Sequence, residues 1–131
     1  MVTQLEPNSR LDKLARTVIG AAIEVHRHLG PGYLESVYEE ALAVEFSLRR
    51  LFFERQKPFA VAYKGRAVGE GRLDFLVDGA LLVELKAVES LAPIHKAQVI
   101  SYLKAKELQL GLLINFNVPI LRAGIQRIVL S

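Results

Sequence analysis

The chain of 131 residues contains no cysteine, which excludes disulfides, a thiolate metal site and a cysteine nucleophile. It also lacks any apolar run approaching the roughly 18 to 20 residues that a membrane-spanning helix needs. Its first residues do not show the basic patch followed by an apolar core that is typical of a signal peptide. We therefore expect a soluble, cytoplasmic protein that has no membrane partner.

What the chain does contain is typical of one folded domain. Hydrophobic residues make up 51% of the sequence and charged residues 24%, a balance that excludes wholesale disorder. Residues 1–8 are predicted to form a flexible arm, and residues 9–131 a single domain. Hydrophobic periodicity predicts helices at 9–29, 33–50 and 94–107, and strands at 53–63, 72–77, 81–86, 110–115 and 125–130. This order predicts an α/β fold with a mixed central sheet and helices on both faces.

The candidate chemistry lies in the two adjacent strands at 72–86, where Asp74 is followed ten residues later by Glu84 and then by Lys86. Side chains alternate between the faces of a strand, so Glu84 and Lys86 share one face. Asp74, on the first strand, shares that face only if the two strands pair in a register where the numbers of two opposite residues add up to an even value. A two-residue turn at Asp78-Gly79, the usual interpretation of that dipeptide, would place Asp74 on the opposite face.

A three-residue loop at 78–80 pairs Val77 with Leu81 and brings the three polar residues together. One face of the hairpin then becomes uniformly apolar, whereas a slip by one residue would mix polar and apolar side chains on both faces. We therefore predict a three- or five-residue loop or a bulge. The two predicted faces are Leu73, Phe75, Val77, Leu81, Val83, Leu85 and Ala87 on one side, and Asp74, Leu76, Leu82, Glu84 and Lys86 on the other.

The residue types on the polar face could form a metal-dependent site that cleaves phosphodiesters. Two neighbouring carboxylates repel each other unless a cation lies between them, and hard oxygen ligands suit Mg²⁺ or Mn²⁺. A cation held by Asp74 and Glu84 could polarise a phosphodiester and activate a water. Lys86 could orient or deprotonate that water, or stabilise the developing negative charge. The alternative interpretation is an ion-pair cluster in a half-buried sheet.

Basic residues are concentrated in the preceding segment, where two interpretations remain open. A basic surface there could follow a phosphate backbone, or the charges could protect an exposed strand edge from aggregation. The candidates for nucleic-acid binding are Arg55, Lys57, Lys64, Arg66 and Arg72.

With these residues in place, the sequence resembles the PD-(D/E)XK nuclease superfamily, and in particular its small prokaryotic GxxExxY branch. The resemblance extends from about residue 11 to residue 129. The motif that names the branch is at residues 32–38, which read GYLESVY, and the core motif comprises RLD at 72–74 and VELKAV at 83–88. Further similarity lies in AQ at 97–98, Tyr102, and GLLINF at 111–116.

The resemblance implies a restriction-endonuclease-like core and a role for each residue. Asp74 and Glu84 would be metal ligands together with the main-chain carbonyl of Leu85, and Lys86 would be the catalytic lysine. Glu35 would be an additional acid near the metal. On the third helix Gln98 would lie beside the site as part of the catalytic set, and three further residues would lie near it: Tyr38, His95 and Tyr102.

Two functions follow from the sequence. The first is a nuclease that depends on Mg²⁺ or Mn²⁺ and hydrolyses DNA or RNA. The second is a non-catalytic module that keeps the fold and binds nucleic acid or another protein, since no separate DNA-recognition module is present. A homodimer or a larger complex is compatible with either function.

Overall fold

The computed structural model describes residues 9–130, so the predicted arm at 1–8 and residue 131 lie outside the described part. No helix in that part is both long enough and apolar enough to cross a membrane. The elements in chain order are helices α1 (Ser9–Leu29) and α2 (Glu35–Leu48), strands β1 (Phe53–Tyr63), β2 (Arg66–Val77) and β3 (Leu81–Lys86), helix α3 (Pro93–Lys106), strand β4 (Leu110–Asn115), a short 3₁₀ turn (Leu121–Gly124), and strand β5 (Ile125–Val129).

The predicted α/β architecture with a mixed sheet is confirmed. The five strands lie in the order β1-β2-β3-β4-β5. Only β3 and β4 are parallel, and α3 connects them, while all other neighbours are antiparallel. Pro58 lies in β1, an edge strand, which is where a proline is tolerated in a sheet. The predicted helix boundaries are correct to within two residues, and α1 ends before Gly30, whose φ of 70° suits a glycine.

Each face of the sheet has its own apolar cluster. Helices α1 and α2 pack against one face through a cluster that includes Phe46 and Phe75. Helix α3 packs against the other face through Val99 and Leu103, which belong to one buried cluster with Leu82. Gly111 of β4 fits beneath α3, because a Cβ there would lie 2.9 Å from the Val99 side chain. The sheet is therefore covered on both faces by helices.

The turn between β2 and β3 has the predicted three residues. Val77 pairs with Leu81 and Phe75 with Val83, and the Ala80 N–H donates to the Val77 carbonyl at 3.0 Å. Asp78 has a φ of 53° and Gly79 a φ of 64°, so both residues adopt the left-handed conformation that this dipeptide favours. The even-numbered register required for the shared polar face is confirmed.

One residue of the predicted apolar face was placed on the wrong side. Phe75 and Val77 pack against α1 and α2, but Leu73 belongs to the cluster beneath α3. The expected pairing of Leu73 with Leu85 is also wrong, because the β2–β3 ladder stops at Phe75 and Val83. The two strands separate beyond this point, and the candidate site lies where they part.

Candidate active site

The separation of β2 and β3 is bridged by the two acidic side chains themselves. The Asp74 N–H donates to Glu84 Oε2 at 2.8 Å, and the Leu85 N–H donates to Asp74 Oδ2 at 2.8 Å. Each carboxylate thus accepts a hydrogen bond from the backbone of the opposite strand, in place of a sheet hydrogen bond. This exchange fixes both acids at the opening between the strands.

Lys86 is the last residue of β3, two positions beyond Glu84. Its backbone carbonyl accepts a hydrogen bond from the Phe116 N–H at 2.9 Å, which anchors the end of the strand. In the part of the chain that the structure describes, its ammonium forms no ion pair within 4.0 Å. Lys86 is therefore not locked to the two acids, and its amine is available to a substrate or a water.

Helix α2 adds two further acids in its first two turns. The negative charge of Asp74 and the positive charge of Lys86 both act on Glu35. Glu39, one helical turn later, accepts a hydrogen bond at Oε1 from the Gln56 side chain at 2.8 Å. Helix α2 thus adds the charges of Glu35 and Glu39 to those of Asp74 and Glu84.

Burial, together with the negative charges of neighbouring acids, changes the acidity of the site. Burial, reinforced by the charge of Asp74, raises the pKa of Glu84 from 4.5 to about 8. Burial and the charge of Asp74 also raise the pKa of Glu35, and burial raises the pKa of Asp74 despite its hydrogen bond from Leu85. Acids of this kind gain most from a bound cation, which restores the preference for the charged form.

The donor chemistry fits a hard divalent cation. Carboxylate oxygens are hard donors, as is the main-chain carbonyl predicted for Leu85, and Mg²⁺ typically uses one or two carboxylates and keeps several waters. Within residues 9–130 no three His, Asp or Glu side chains are grouped closely enough to hold an ion by themselves. Asp74 and Glu84 therefore match a partly hydrated ion, and direct ligation by Glu35 stays a prediction.

Two residues close to the site were missed by sequence reasoning. Glu39 lies four residues after Glu35 on the same helical face, so its spacing could have revealed it. Gln56 of β1 donates its side-chain amide to Glu39, and also to Asp74 Oδ1 at 3.4 Å. No sequence pattern distinguishes Gln56 from the other polar residues of the strand.

Helix α3 contributes Tyr102, whose pKa is raised by burial and by the charges of Glu84 and Asp74. Its hydroxyl accepts a hydrogen bond from Gln98 Nε2 at 3.2 Å, so Gln98 is connected to the site through Tyr102. His95 Nδ1 instead accepts a hydrogen bond from the Ala92 N–H at the start of the helix.

Tyr38 lies in the core and forms hydrogen bonds with the backbone of the loop that precedes α2. Its side chain is fully buried and stacks on Phe116 at 4.6 Å. Its hydroxyl donates to the Gly30 carbonyl at 2.5 Å and accepts from the Tyr33 N–H at 3.2 Å. The tyrosine thus holds the segment that leads to Glu35, and its proximity to the acids stays a prediction.

The predicted basic residues fall into two groups. Arg55 is paired with Glu39 at 3.0 Å and with Glu40 at 2.6 Å, and Lys57 with Glu54 at 2.8 Å. The other three, namely Lys64, Arg66 and Arg72, are exposed and form no ion pair in the described part of the chain. They lie along the outer part of the β1–β2 hairpin, of which Arg72 is the member closest to Asp74.

Comparison with known proteins agrees with this geometry. A family model described as the PD-(D/E)XK nuclease superfamily matches residues 12–128. Comparisons with curated proteins and with solved structures gave no match. The matched range includes every site residue described above, and the mixed five-stranded sheet is consistent with the restriction-endonuclease-like fold. The chain belongs to the PD-(D/E)XK nuclease superfamily.

Proposed function

We propose that the protein is a nuclease that hydrolyses phosphodiester bonds of DNA or RNA and depends on Mg²⁺ or Mn²⁺. The observation that carries this proposal is the arrangement of Asp74, Glu84 and Lys86, in which two acids fixed by reciprocal backbone hydrogen bonds lie beside an unpaired lysine. Membership of the superfamily supports it. The GYLESVY motif at 32–38 supports placement in the GxxExxY branch.

Asp74 and Glu84, with the Leu85 carbonyl, would hold the cation, which when bound would supply Lewis-acid activation of the phosphodiester and of a water. Lys86 would orient the attacking water and stabilise negative charge on the phosphoryl oxygens. Gln98 would keep Tyr102 oriented toward the acids, and Glu35 would contribute a further acceptor near the ion.

Phosphate contacts are proposed for the unpaired basic residues of the outer hairpin, Lys64, Arg66 and Arg72. Arg55 and Lys57 are already neutralised by neighbouring acids, so they would contribute less to phosphate binding. A cytoplasmic location and a homodimer or larger complex stay predictions.

A cleavage screen tests the function. Purified protein is incubated with single- and double-stranded DNA and RNA in the presence of Mg²⁺, Mn²⁺ or EDTA. We expect cleavage with Mg²⁺ or Mn²⁺, and a loss of at least about 100-fold in Lys86→Ala, the size typical of losing a group that assists proton transfer. The matched control is Lys104→Ala, which removes an exposed lysine of α3.

Two results would contradict the proposal. Cleavage that survives Lys86→Ala would indicate a contaminating enzyme or another site. Salt-sensitive nucleic-acid binding without cleavage under any metal would instead support the non-catalytic binding module.

A further inference from the structure

Gln56 has an unusual backbone for a residue in the middle of a strand. Its φ is 49°, whereas its neighbours Arg55 and Lys57 pair regularly with Phe75 and Leu73. The left-handed region is unfavourable for a residue other than glycine, because its Cβ crowds the backbone carbonyl oxygen. The surrounding structure must therefore compensate for this conformation, and strain of this kind is often found at functional sites.

At Gln56 the apolar side chains of the β1–β2 hairpin switch from one face of the sheet to the other. Before it, Phe53 and its paired residue Val77, together with Phe75, pack toward α1 and α2. After it, Phe59 and Leu73 pack beneath α3. Asp74 lies directly across from Gln56, between the paired residues of β2, so the reversal occurs at the metal-binding acid and accounts for the position of Leu73.

The side chain of Gln56 connects two acids from different elements. Its Nε2 donates to Glu39 Oε1 on α2 at 2.8 Å and to Asp74 Oδ1 on β2 at 3.4 Å. Glu39 is fixed from its other oxygen, because Arg55 donates to Oε2 at 3.0 Å. The network therefore runs from Arg55 through Glu39 and Gln56 to Asp74.

An amide is well suited to this position. It carries two N–H donors and no charge, so it can bond both carboxylates without neutralising Asp74. A lysine or arginine would compete with a metal ion for Asp74, and an acid would add to the repulsion. Since Asp74 Oδ2 is already held by the Leu85 N–H, the bond from Gln56 restrains the second oxygen and fixes the plane of the carboxylate.

We propose that Gln56 is a positioning residue for the metal-binding acid: it holds the Asp74 carboxylate in orientation and connects it to Glu39 of α2. The inference rests on the proposed function, because the orientation matters for an ion bound by Asp74 and Glu84. Loss of a residue that orients a metal ligand typically weakens metal binding by about 10- to 100-fold.

Two substitutions distinguish the effect of the Gln56 side chain from the effect of its strained backbone. Gln56→Gly removes the amide and adopts a positive φ without strain, whereas Gln56→Ala removes the amide and keeps the strain. We expect both variants to bind Mn²⁺ about 10- to 100-fold more weakly than wild type by isothermal titration calorimetry, with Gly the more stable of the two toward urea. Both should lower kcat for cleavage more than they raise KM. The control is Gln126→Ala on β5, whose side chain is exposed.

The outcomes distinguish the inference from the proposed function. A Gln56→Gly variant with wild-type Mn²⁺ affinity would show that only the backbone matters and would overturn the inference while leaving the nuclease proposal intact. A wild-type protein that neither binds Mn²⁺ nor cleaves nucleic acid would overturn the proposed function.

If the wild-type protein neither binds Mn²⁺ nor cleaves nucleic acid, unfolding of the metal-free protein still tests whether the Gln56 side chain interacts with Asp74. Gln56→Ala and Asp74→Asn are combined in a double-mutant cycle. A coupling of at least threefold in the unfolding equilibrium constant is expected, and strictly additive effects would overturn the inference.

Discussion

Glu84 should destabilise the metal-free protein at alkaline pH, and its replacement by glutamine should reverse this effect. The side chain is only 4% exposed, and burial together with the charge of Asp74 raises its pKa from 4.5 to about 8. Between these two pH values the folded protein holds a proton that the unfolded chain has released. The stabilising contribution of the Glu84 proton is therefore complete below pH 4.5 and is lost as the pH rises toward 8, by about 1.4 kcal/mol for each pH unit.

The full interval corresponds to about 5 kcal/mol, which is an upper value because side chains that relax toward solvent recover part of it. Glu84→Gln keeps an oxygen that can accept the hydrogen bond of the Asp74 N–H but carries no charge. Relative to wild type, the variant should gain at least about 2 kcal/mol in free energy of unfolding at pH 9 compared with pH 4.5.

The assay is urea unfolding in EDTA at several pH values, with exposed Glu70→Gln as the control. Addition of Mg²⁺ at pH 8 should stabilise wild type and narrow the gap to Glu84→Gln, because an ion bound to the folded state adds to its stability. A difference between wild type and Glu84→Gln that does not change with pH would refute the electrostatic argument.

Two further predictions concern the outer hairpin. Replacing Lys64 and Arg66 together with alanine should reduce the salt dependence of nucleic-acid binding, lowering the slope of log K against log salt by about 2; an unchanged slope in a fluorescence anisotropy titration would remove these residues from the interface. Gly71→Ala should cost about 1 to 3 kcal/mol in urea unfolding, because its Cβ would lie 2.2 Å from the Phe59 ring. Gly69→Ala is the matched control, since its Cβ would meet no atom within 4 Å, and equal losses in the two variants would contradict the packing argument.

The register of the central hairpin could be predicted because burial is a stronger constraint than turn preference. Asp78-Gly79 alone favours a two-residue turn, yet alternation of apolar residues on both strands admits only an odd loop length. The structure shows the three-residue loop, in which Asp78 and Gly79 both have a positive φ. The positions of Asp74 and Glu84 on one side of the hairpin followed from this register.

Features that depend on contacts distant in sequence could not be predicted. Glutamine has no preference for positive φ that a sequence could reveal. The switch of side chains between the faces of the sheet at Gln56 could therefore not be predicted, nor could the face on which Leu73 packs. The ion pairs of Arg55 with Glu39 and Glu40 require β1 to lie along α2, and residue spacing does not report this proximity. Charge counting therefore overestimated the basic surface available to nucleic acid.

The reciprocal hydrogen bonds of Asp74 and Glu84 also constrain how a protein of this kind could lose its chemistry during evolution. Both acids bond the backbone at the opening of the sheet, so replacement by an aliphatic residue would leave the N–H of Asp74 or Leu85 without its acceptor, at a cost of about 1 to 3 kcal/mol. Asparagine and glutamine would keep that acceptor. A descendant that abandoned catalysis and kept the fold should therefore carry amides at these two positions, and amides there would be the sequence signature of a retained scaffold.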